Sequence, residues 1–283
     1  MTGRPAGDDL AITLTNVGAD RIKQVKALAG RSSRLRAHRF VVEGPQGVRE
    51  VVRFAADSVL DVYLTAAAHA RSPEIAAEAA AAGLRVYGCS PEVADAMSGD
   101  AQGVIAVVGL ERAEAAELPA KARLVAILAD ARDPGNAGTV IRAADAAGAD
   151  AVILAGESVE GTNPKVLRAS AGSFFHLPVI EGLSLAEAVT AARAAGLRIL
   201  ATDGSGTVVL GDGAANAASL EAPTAWIFGN EARGLSPADL ALADATVRIP
   251  MYGRAESLNL GAAATLCLFA SAAAHRAAGD TQE

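Results

Sequence analysis

Three stretches in the second half of the sequence combine polar side chains with glycines in patterns that suit nucleotide binding. They read NAGTVIR (136–142), IFGNEARGL (227–235) and IPMYGRAESLN (249–259). Glycine lets a backbone approach a ligand, amides and carboxylates can bind a base or ribose, and arginine binds phosphate. The first stretch lacks the Lys-Ser/Thr pair of a Walker loop and the GxGxxG of a dinucleotide fold. It carries Arg142 among alanines, so it is a phosphate loop, a cofactor loop or a loop that uses this arginine for chemistry.

Each stretch also has an ordinary structural interpretation. On residue type alone, Arg142 is expected to form an ion pair between helices, and 227–235 to be a plain turn between a strand and a helix. Asn136 and Ser257 are predicted to cap their helices. Asn259 is predicted to lie in the first turn of its helix, where its short amide would bond to a neighbouring loop.

Basic residues cluster near the start of a chain whose net charge is −7. Residues 16–53 hold nine arginines and lysines against three acidic residues. Such a patch predicts either a footprint for a polyanion or a solvated charged face. The same two alternatives apply to Lys165 and Arg168, which fall on one face of a predicted helix.

Length and composition set the protein class. A chain of 283 residues with 51% apolar and 20% charged residues is long enough for two globular domains. No stretch has the length of a membrane span, and the N-terminus lacks the apolar core of a signal peptide. Cys89 and Cys267 lie far apart with no metal-ligand spacing, so a cytoplasmic protein without a metal site is expected.

Apolar runs alternate with helical patterns in two blocks, which predicts two α/β domains. The predicted boundaries are a flexible tail over 1–15, a first domain over 16–110, a linker over 111–121 and a second domain over 122–283. Near-continuous apolar strands from 124 onwards predict a parallel sheet covered on both faces. Its ligand site should lie at the carboxyl ends of the strands, where the three stretches above fall.

The order N-x-G-x-x-x-R, FG-N-E-x-x-G-L and IPM-x-G-x-x-x-SLN resembles the three motifs of the SpoU/TrmH family of RNA ribose 2′-O-methyltransferases. This resemblance covers 124–275. TNVGADRIKQVKAL and FVVEGPQGVREVV are similar to the L30e-like substrate-binding domain that such enzymes carry. Among family members, the chain looks closest to the two-domain 23S rRNA enzymes, including an avilamycin-resistance type.

The resemblance implies a second domain of SPOUT type with a deep trefoil knot, S-adenosylmethionine as the cofactor, a homodimer and an RNA substrate. The catalytic residues it implies are Arg142, Asn136, Glu231, Ser257 and Asn259. The implied cofactor contacts are Thr202, Asp203, Gly204, Phe228, Gly229, Asn230, Gly234, Ile249, Pro250, Met251, Ser257, Leu258 and Ala262. The expected RNA contacts are Arg21, Lys23, Lys26, Arg34, Arg36, Arg39, Lys165 and Arg168, the last in its own subunit or across the dimer.

Arginine stays protonated in proteins, so Arg142 is expected to hold the target phosphate and stabilise the developing alkoxide rather than act as the base. Three alternatives stand beside a 23S rRNA enzyme: a tRNA ribose methyltransferase, a non-catalytic RNA-binding protein and a nicotinamide-dependent oxidoreductase. The missing GxGxxG disfavours the oxidoreductase. The sequence leaves open the target nucleotide, a uridine being one candidate, and the choice between housekeeping and antibiotic resistance.

Overall fold

The computed structural model describes residues 10–111, 113–211 and 220–280. Contacts within the chain divide it into two compact units, 1–111 and 112–283. Each unit has its own β-sheet with helices packed against it. The α/β class predicted from the alternating pattern is confirmed.

The first unit contains a mixed five-stranded sheet. Its elements are β1 Ile12–Leu14, α1 Asp20–Ala27, α2 Arg31–Ala37, β2 Arg39–Glu43, α3 Pro45–Phe54, β3 Val59–Thr65, α4 Ala66–Arg71, α5 Pro73–Ala81, β4 Val86–Cys89, α6 Pro91–Met97 and β5 Val104–Gly109, with a 3-10 turn at Ala56–Ser58. The strand order is β1-β4-β3-β5-β2, in which β5 runs antiparallel to both of its neighbours.

Two details of the first unit differ from the prediction. The predicted tail over 1–15 is too long, because β1 lies inside it and pairs in parallel with β4; residues 1–9 lie outside the described part of the chain. Three residues that pair with a strand far along the sequence give too short a pattern to read locally. The helical pattern over 18–29 predicts one helix, whereas the structure has α1 there and a second helix, α2, that begins after Gly30.

The second unit contains a seven-stranded sheet. Its elements are β6 Leu124–Ala129, α7 Pro134–Ala147, β7 Ala151–Ala155, α8 Pro164–Ser170, β8 Val179–Glu181, α9 Leu185–Ala194, β9 Arg198–Thr202, β10 Val208–Val209, β11 Thr224–Phe228, α10 Pro237–Leu240, β12 Ala245–Arg248 and α11 Leu260–Asp280, with 3-10 turns at Ala115–Glu117 and Ser173–Phe175. The order is β10-β12-β9-β11-β6-β7-β8, and every pairing is parallel. The predicted parallel sheet is therefore confirmed.

Both faces of this sheet are buried, as the apolar strands predict. Along β6, alternate side chains point to opposite faces. Leu124 and Leu128 belong to a core shared with α7 and α11, whereas Val125 and Ile127 belong to a core shared with α9. The helices on both faces fix the positions of the loops at the strand ends, and these loops carry the candidate site.

The segment predicted as a linker, 111–121, is packed against the second unit along part of its length. Ala113 pairs with Ile180, which extends the edge of the sheet. Leu118 and Ala122 are buried in the core on the α9 face. Leu118 within the predicted linker and Ala122 directly after it hold this end of the segment on the domain.

Within 10–111, 113–211 and 220–280, no helix has the length and hydropathy needed to cross a membrane. The same residues contain no cluster of His, Cys, Asp and Glu side chains that could hold a metal ion. Cys89 and Cys267 are free and buried, one in each unit.

Candidate functional site

The first of the three stretches, 136–142, lies in α7 rather than in the loop before it. The helix starts at Pro134, and its N-cap is Asp133, whose Oδ1 accepts a hydrogen bond from the Asn136 N–H at 2.7 Å. The prediction that Asn136 caps this helix is wrong. Because Asp133 provides the cap, the Asn136 side chain is available for another partner.

Arg142 lies on an exposed position of α7 between buried neighbours. Ile141 and Ala143 are 0% and 8% exposed, so the core holds the helix rigidly at this point. In the part of the chain that the structure describes, Arg142 has neither an ion pair nor a hydrogen bond. The interhelical ion pair that residue type favours is therefore absent there, and the guanidinium is left for an external anion.

Two glycines let helices approach α7 closely. A Cβ on Gly138 would lie 2.5 Å from the Val166 carbonyl oxygen and from the Ala169 Cβ, so α8 packs directly on α7. A Cβ on Gly261 would lie 2.8 Å from the Thr139 Cγ2, so the start of α11 packs on the other side. Lys165 and Arg168 on α8 are thereby held near α7; Lys165 is exposed and Arg168 is half-buried.

The second stretch forms a tight loop after β11. Asn230 is 9% exposed, and its Nδ2 donates to the Asp130 carbonyl at 2.7 Å. Its Oδ1 accepts from the N–H groups of Ala232 at 2.9 Å and Arg233 at 3.3 Å. The loop closes through the Gly234 N–H, which donates to the Asn230 carbonyl at 2.8 Å. The side chain and the carbonyl of Asn230 therefore both build the loop.

Backbone conformation in these loops is restricted. Gly234 has φ +64°, and a Cβ on Gly229 would lie 2.6 Å from the Gly234 carbonyl carbon. Asp130, at the end of β6, has φ +54°, which is unusual for a residue other than glycine. Its carboxylate accepts from the Glu157 N–H at 2.7 Å and its carbonyl accepts from Asn230, so both groups hold the strained residue in place.

The first and second stretches meet through their polar side chains. The Asn136 Nδ2 donates to the Glu231 Oε1 at 3.2 Å, across 95 positions of sequence. The Asn136 Oδ1 also lies 3.8 Å from where a Cβ on Gly261 would sit, at the start of α11. Three of the predicted catalytic residues, Asn136, Glu231 and Asn259, are thus brought to one region at the carboxyl ends of β6 and β11.

Asn259 precedes its helix rather than lying in the first turn, and its amide oxygen bonds to the helix itself rather than to a neighbouring loop. Helix α11 begins at Leu260, and the Asn259 Oδ1 accepts from the Ala262 N–H at 2.7 Å. Asn259 is therefore the N-cap, and the prediction that Ser257 caps this helix is wrong. Ser257 lies two residues earlier, in the exposed loop that forms one wall of a cavity.

That cavity has a volume of about 160 Å³ and lies at the carboxyl ends of β9 and β12. Seven of the predicted cofactor contacts line it: Thr202, Asp203, Gly204, Ile249, Met251, Ser257 and Leu258. Val247 and Glu256 also line it, although neither was predicted. The enclosed volume is below the roughly 300–1,000 Å³ of most ligand pockets, so a nucleoside ligand would extend over the open loops.

The other predicted cofactor residues lie outside the wall of this cavity. Phe228 is 0% exposed and stacks on Trp226 in the core at 6.3 Å between ring centroids, so its side chain cannot meet a ligand. Gly234 is close, since a Cβ on it would lie 3.9 Å from the Asp203 Oδ2. The remaining residues that do not line the wall are Gly229, Asn230, Pro250 and Ala262.

Chemically, the cavity combines apolar and acidic groups. Val247, Ile249 and Met251 give it an apolar wall for a planar base, and Asp203 and Glu256 add two carboxylates. The Asp203 Oδ1 accepts from the Ser205 N–H at 2.8 Å and from its hydroxyl at 2.6 Å, which orients the carboxylate. Such a wall fits a ligand with an adenine, ribose hydroxyls and a positive charge, which is the composition of S-adenosylmethionine. Glu256 could have been found from the sequence, because it directly precedes Ser257 in the third stretch.

The predicted RNA contacts of the first unit divide into two groups. Arg21, Lys23, Lys26, Arg36 and Arg39 are exposed. Arg34 is only 2% exposed, and its NH1 donates to the carbonyls of Leu28 at 3.1 Å and Ala29 at 2.8 Å. The prediction that Arg34 binds RNA is wrong, because its charge is used to satisfy the carbonyls at the end of α1.

Models of known protein families match both units of the chain. The model described as the SpoU rRNA Methylase family matches residues 123–269, and the model described as the MRM3-like substrate binding domain matches residues 19–106. The two matches confirm the predicted pair of a substrate-binding and a methyltransferase domain.

Three proteins illustrate the similarity. A 23S rRNA (uridine(2479)-2′-O)-methyltransferase of Streptomyces viridochromogenes is 40% identical over 59% of this chain, but the match spans only 58% of that relative. An uncharacterized tRNA/rRNA methyltransferase of Synechocystis is 31% identical over 94% of both chains. The crystal structure of the SpoU methyltransferase AviRb from Streptomyces viridochromogenes in complex with the cofactor AdoMet has a TM-score of 0.73 and 31% identity, covering 92% of this chain and 100% of that one. On the family match and the near full-length relative, this chain belongs to the SpoU rRNA methylase family.

Proposed function

We propose that this protein transfers the methyl group of S-adenosylmethionine to a ribose 2′-hydroxyl of 23S rRNA. The observation that carries the proposal is Arg142, whose guanidinium has no partner among the described residues and which lies on the same helix as Asn136, the residue that contacts Glu231. The names of the relatives support the reaction, and the neighbour solved with AdoMet supports the cofactor. The finer proposal is that the target is a uridine, as in the name of the Streptomyces relative, with a role in antibiotic resistance.

S-adenosylmethionine supplies an electrophilic methyl carbon on a sulfonium. The side chains lining the cavity would hold it, with Asp203 and Glu256 towards its hydroxyls or its positive charge and Ile249 and Met251 against its base. What the protein must add is alignment of the 2′-hydroxyl and a path for its proton.

Arg142 cannot take that proton, because arginine remains protonated in proteins. It binds the phosphate next to the target ribose and stabilises the negative charge that develops on the 2′-oxygen. Asn136 and Glu231 hold the nearby loop and orient the nucleotide. The proton then passes to the phosphate or to a water molecule.

Further parts of the proposal come from the resemblance. A homodimer would bring Arg168 to the site, in its own subunit or from the partner. The trefoil knot of the second domain and a cytoplasmic location stay predictions. A tRNA substrate is the alternative within the enzyme class, and the N-terminal substrate-binding domain favours ribosomal RNA over it.

The experiment measures transfer from tritiated S-adenosylmethionine to purified 23S rRNA, 16S rRNA and tRNA, with primer extension at low dNTP to map the modified ribose. We expect labelling of 23S rRNA alone by the wild type. Arg142→Ala should lower the rate by at least about 100-fold while cofactor affinity, measured by calorimetry, stays within about twofold.

Arg123→Ala is the matched control. It removes the same charge from an exposed position just before β6, where the side chain donates, among the residues that the structure describes, only to the Glu221 carbonyl. Its activity should equal that of the wild type. Comparable methylation by Arg142→Ala would refute the proposed role, and labelling of tRNA alone would favour the alternative substrate.

A further inference from the structure

The first unit has a cavity of about 460 Å³, larger than the one at the ends of β9 and β12. This volume lies within the roughly 300–1,000 Å³ typical of ligand pockets. Its polar and aromatic lining consists chiefly of Arg21, Gln24, Arg36, Arg39, Tyr63 and Arg85. Four arginines against the single carboxylate of Asp61 make the cavity strongly positive, which suits an anion.

A stacked arrangement of side chains forms one wall. The rings of Tyr63 and Tyr87 stack with 5.5 Å between centroids and 22° between planes. The Arg21 guanidinium lies over the Tyr87 ring, 4.5 Å from its centroid. Tyr63 is 1% exposed, so the base of the stack is anchored in the core. Arg21 is exposed, so its guanidinium over the Tyr87 ring is accessible from solvent.

Arg36 and Arg39 are the two arginines available for phosphate. Both are exposed, and their side chains have no ion pair or hydrogen bond within the described residues. Arg85, in contrast, is partly neutralised by Asp61, with 3.3 Å between NH2 and Oδ1. His38 lies between Arg36 and Arg39 in the left-handed region with φ 49° and ends α2. Because β2 then starts at Arg39, both arginines line the same cavity.

Buried Arg34 holds this wall in place. It lies on α2 and donates to the carbonyls of Leu28 and Ala29 at the end of α1, which ties the two helices together. The backbone that forms this part of the cavity is thus fixed by the fold.

We propose that this cavity binds one unpaired nucleotide of the RNA, with its base stacked on Arg21 and its phosphates on Arg36 and Arg39. Guanidinium planes and aromatic rings are the surfaces on which single-stranded RNA bases stack, whereas a duplex keeps its bases inside. This inference rests on the proposed function for its RNA substrate. It predicts that the substrate presents an unpaired nucleotide at a second place besides the methylated ribose.

The test compares two labelled probes with the full-length protein by fluorescence anisotropy. One is single-stranded hepta-adenylate, and the other is a seven-residue ribose-phosphate chain without bases. They carry the same charge, so the ratio of their dissociation constants measures base stacking. We expect the wild type to prefer hepta-adenylate by about tenfold or more.

Arg21→Ala and Arg21→Lys should both reduce this preference several-fold. The lysine variant keeps the charge, so its salt dependence should match the wild type while the preference is still reduced. Changing Arg36 and Arg39 together to glutamine should weaken the binding of both probes equally. It should also lower the slope of the logarithm of the binding constant against the logarithm of salt concentration by about 1.4. Arg53→Gln, which removes an exposed charge paired with Glu78 outside the cavity lining, should leave the ratio unchanged.

An unchanged ratio in Arg21→Lys, or equal binding of both probes by the wild type, would overturn the inference. Neither measurement uses a methyl donor. A protein that fails to methylate 23S rRNA but shows the expected ratios would therefore contradict the proposed function alone. A protein that methylates 23S rRNA but binds both probes equally would contradict only the nucleotide-binding pocket.

Discussion

Replacement of Asn230 by alanine should destabilise the second unit and weaken cofactor binding together. The variant loses three hydrogen bonds: the one donated to the Asp130 carbonyl and those accepted from Ala232 and Arg233. At about 0.5–1.5 kcal/mol each, and with the side chain only 9% exposed, we expect a loss of about 2–4 kcal/mol in the free energy of unfolding. The released loop should also raise the cofactor dissociation constant at least about fivefold.

Trp226 makes the assay specific. It is the only tryptophan of the chain, lies in β11 four residues before Asn230 and is 0% exposed. Its fluorescence during urea unfolding therefore reports the second unit, and calorimetry reports cofactor affinity. Asn16→Ala is the control, because Asn16 lies in the first unit and accepts one hydrogen bond from the Gly18 N–H; it should leave the Trp226 transition unchanged.

Asn230→Asp separates the hydrogen bond that the side chain donates from the two that it accepts. It retains an oxygen for the two loop N–H groups but faces the Asp130 carbonyl with a second acceptor at 2.7 Å. We expect it to be no more stable than the alanine variant. If Asn230→Ala unfolded at the wild-type urea concentration and bound cofactor normally, the reasoning that this side chain builds the loop would be wrong.

Two further predictions concern packing in the cores. Gly138→Ala should destabilise the second unit by about 1–2 kcal/mol, because its Cβ would meet the α8 backbone at 2.5 Å and the helix preference of alanine offsets only part of this cost. Gly99→Ala places its Cβ in open space and should not be destabilising. A Gly138→Ala variant as stable as the wild type would contradict the close contact between α7 and α8. Burial raises the pKa of the Cys89 thiol to about 11 and that of Cys267 to about 12. Both should resist iodoacetamide at pH 8 and become alkylated only as their own unit unfolds in urea, which mass spectrometry can follow residue by residue. Since thiols in an unfolded chain ionise near roughly pH 8.5, the stability from these buried thiols should decline as the pH rises above that value; rapid labelling of the native protein would contradict their burial.

The agreement between sequence and structure is closest where the signal is local. The apolar runs LVAILAD (124–130) and TAWIFG (224–229) each predict a strand, and β6 and β11 begin with these runs and end one residue before them. The order of the three stretches predicted a site at the carboxyl ends of the parallel strands. That site holds the Asn136–Glu231 contact and the cavity with Asp203 and Ser257.

The differences arise where one residue has several competing partners. Asn136 and Ser257 both suit an N-cap by type, but Asp133 and Asn259 provide the caps. Phe228 belongs to the second stretch and was expected to contact the cofactor. The alternation of side chains along β11 instead places it in the core against Trp226. Residue type and spacing alone do not distinguish these outcomes.

The sequence by itself determined the α/β class, the parallel sheet and the family, because periodicity and motif order are properties of neighbouring residues. Only the tertiary structure decided that Arg34 is buried beneath α1, that Arg142 lacks an ion pair in the described residues, and that Arg21 lies on Tyr87. These outcomes depend on which surfaces meet after folding. A charged side chain becomes a structural support or a ligand contact according to the partners that distant parts of the chain bring to it.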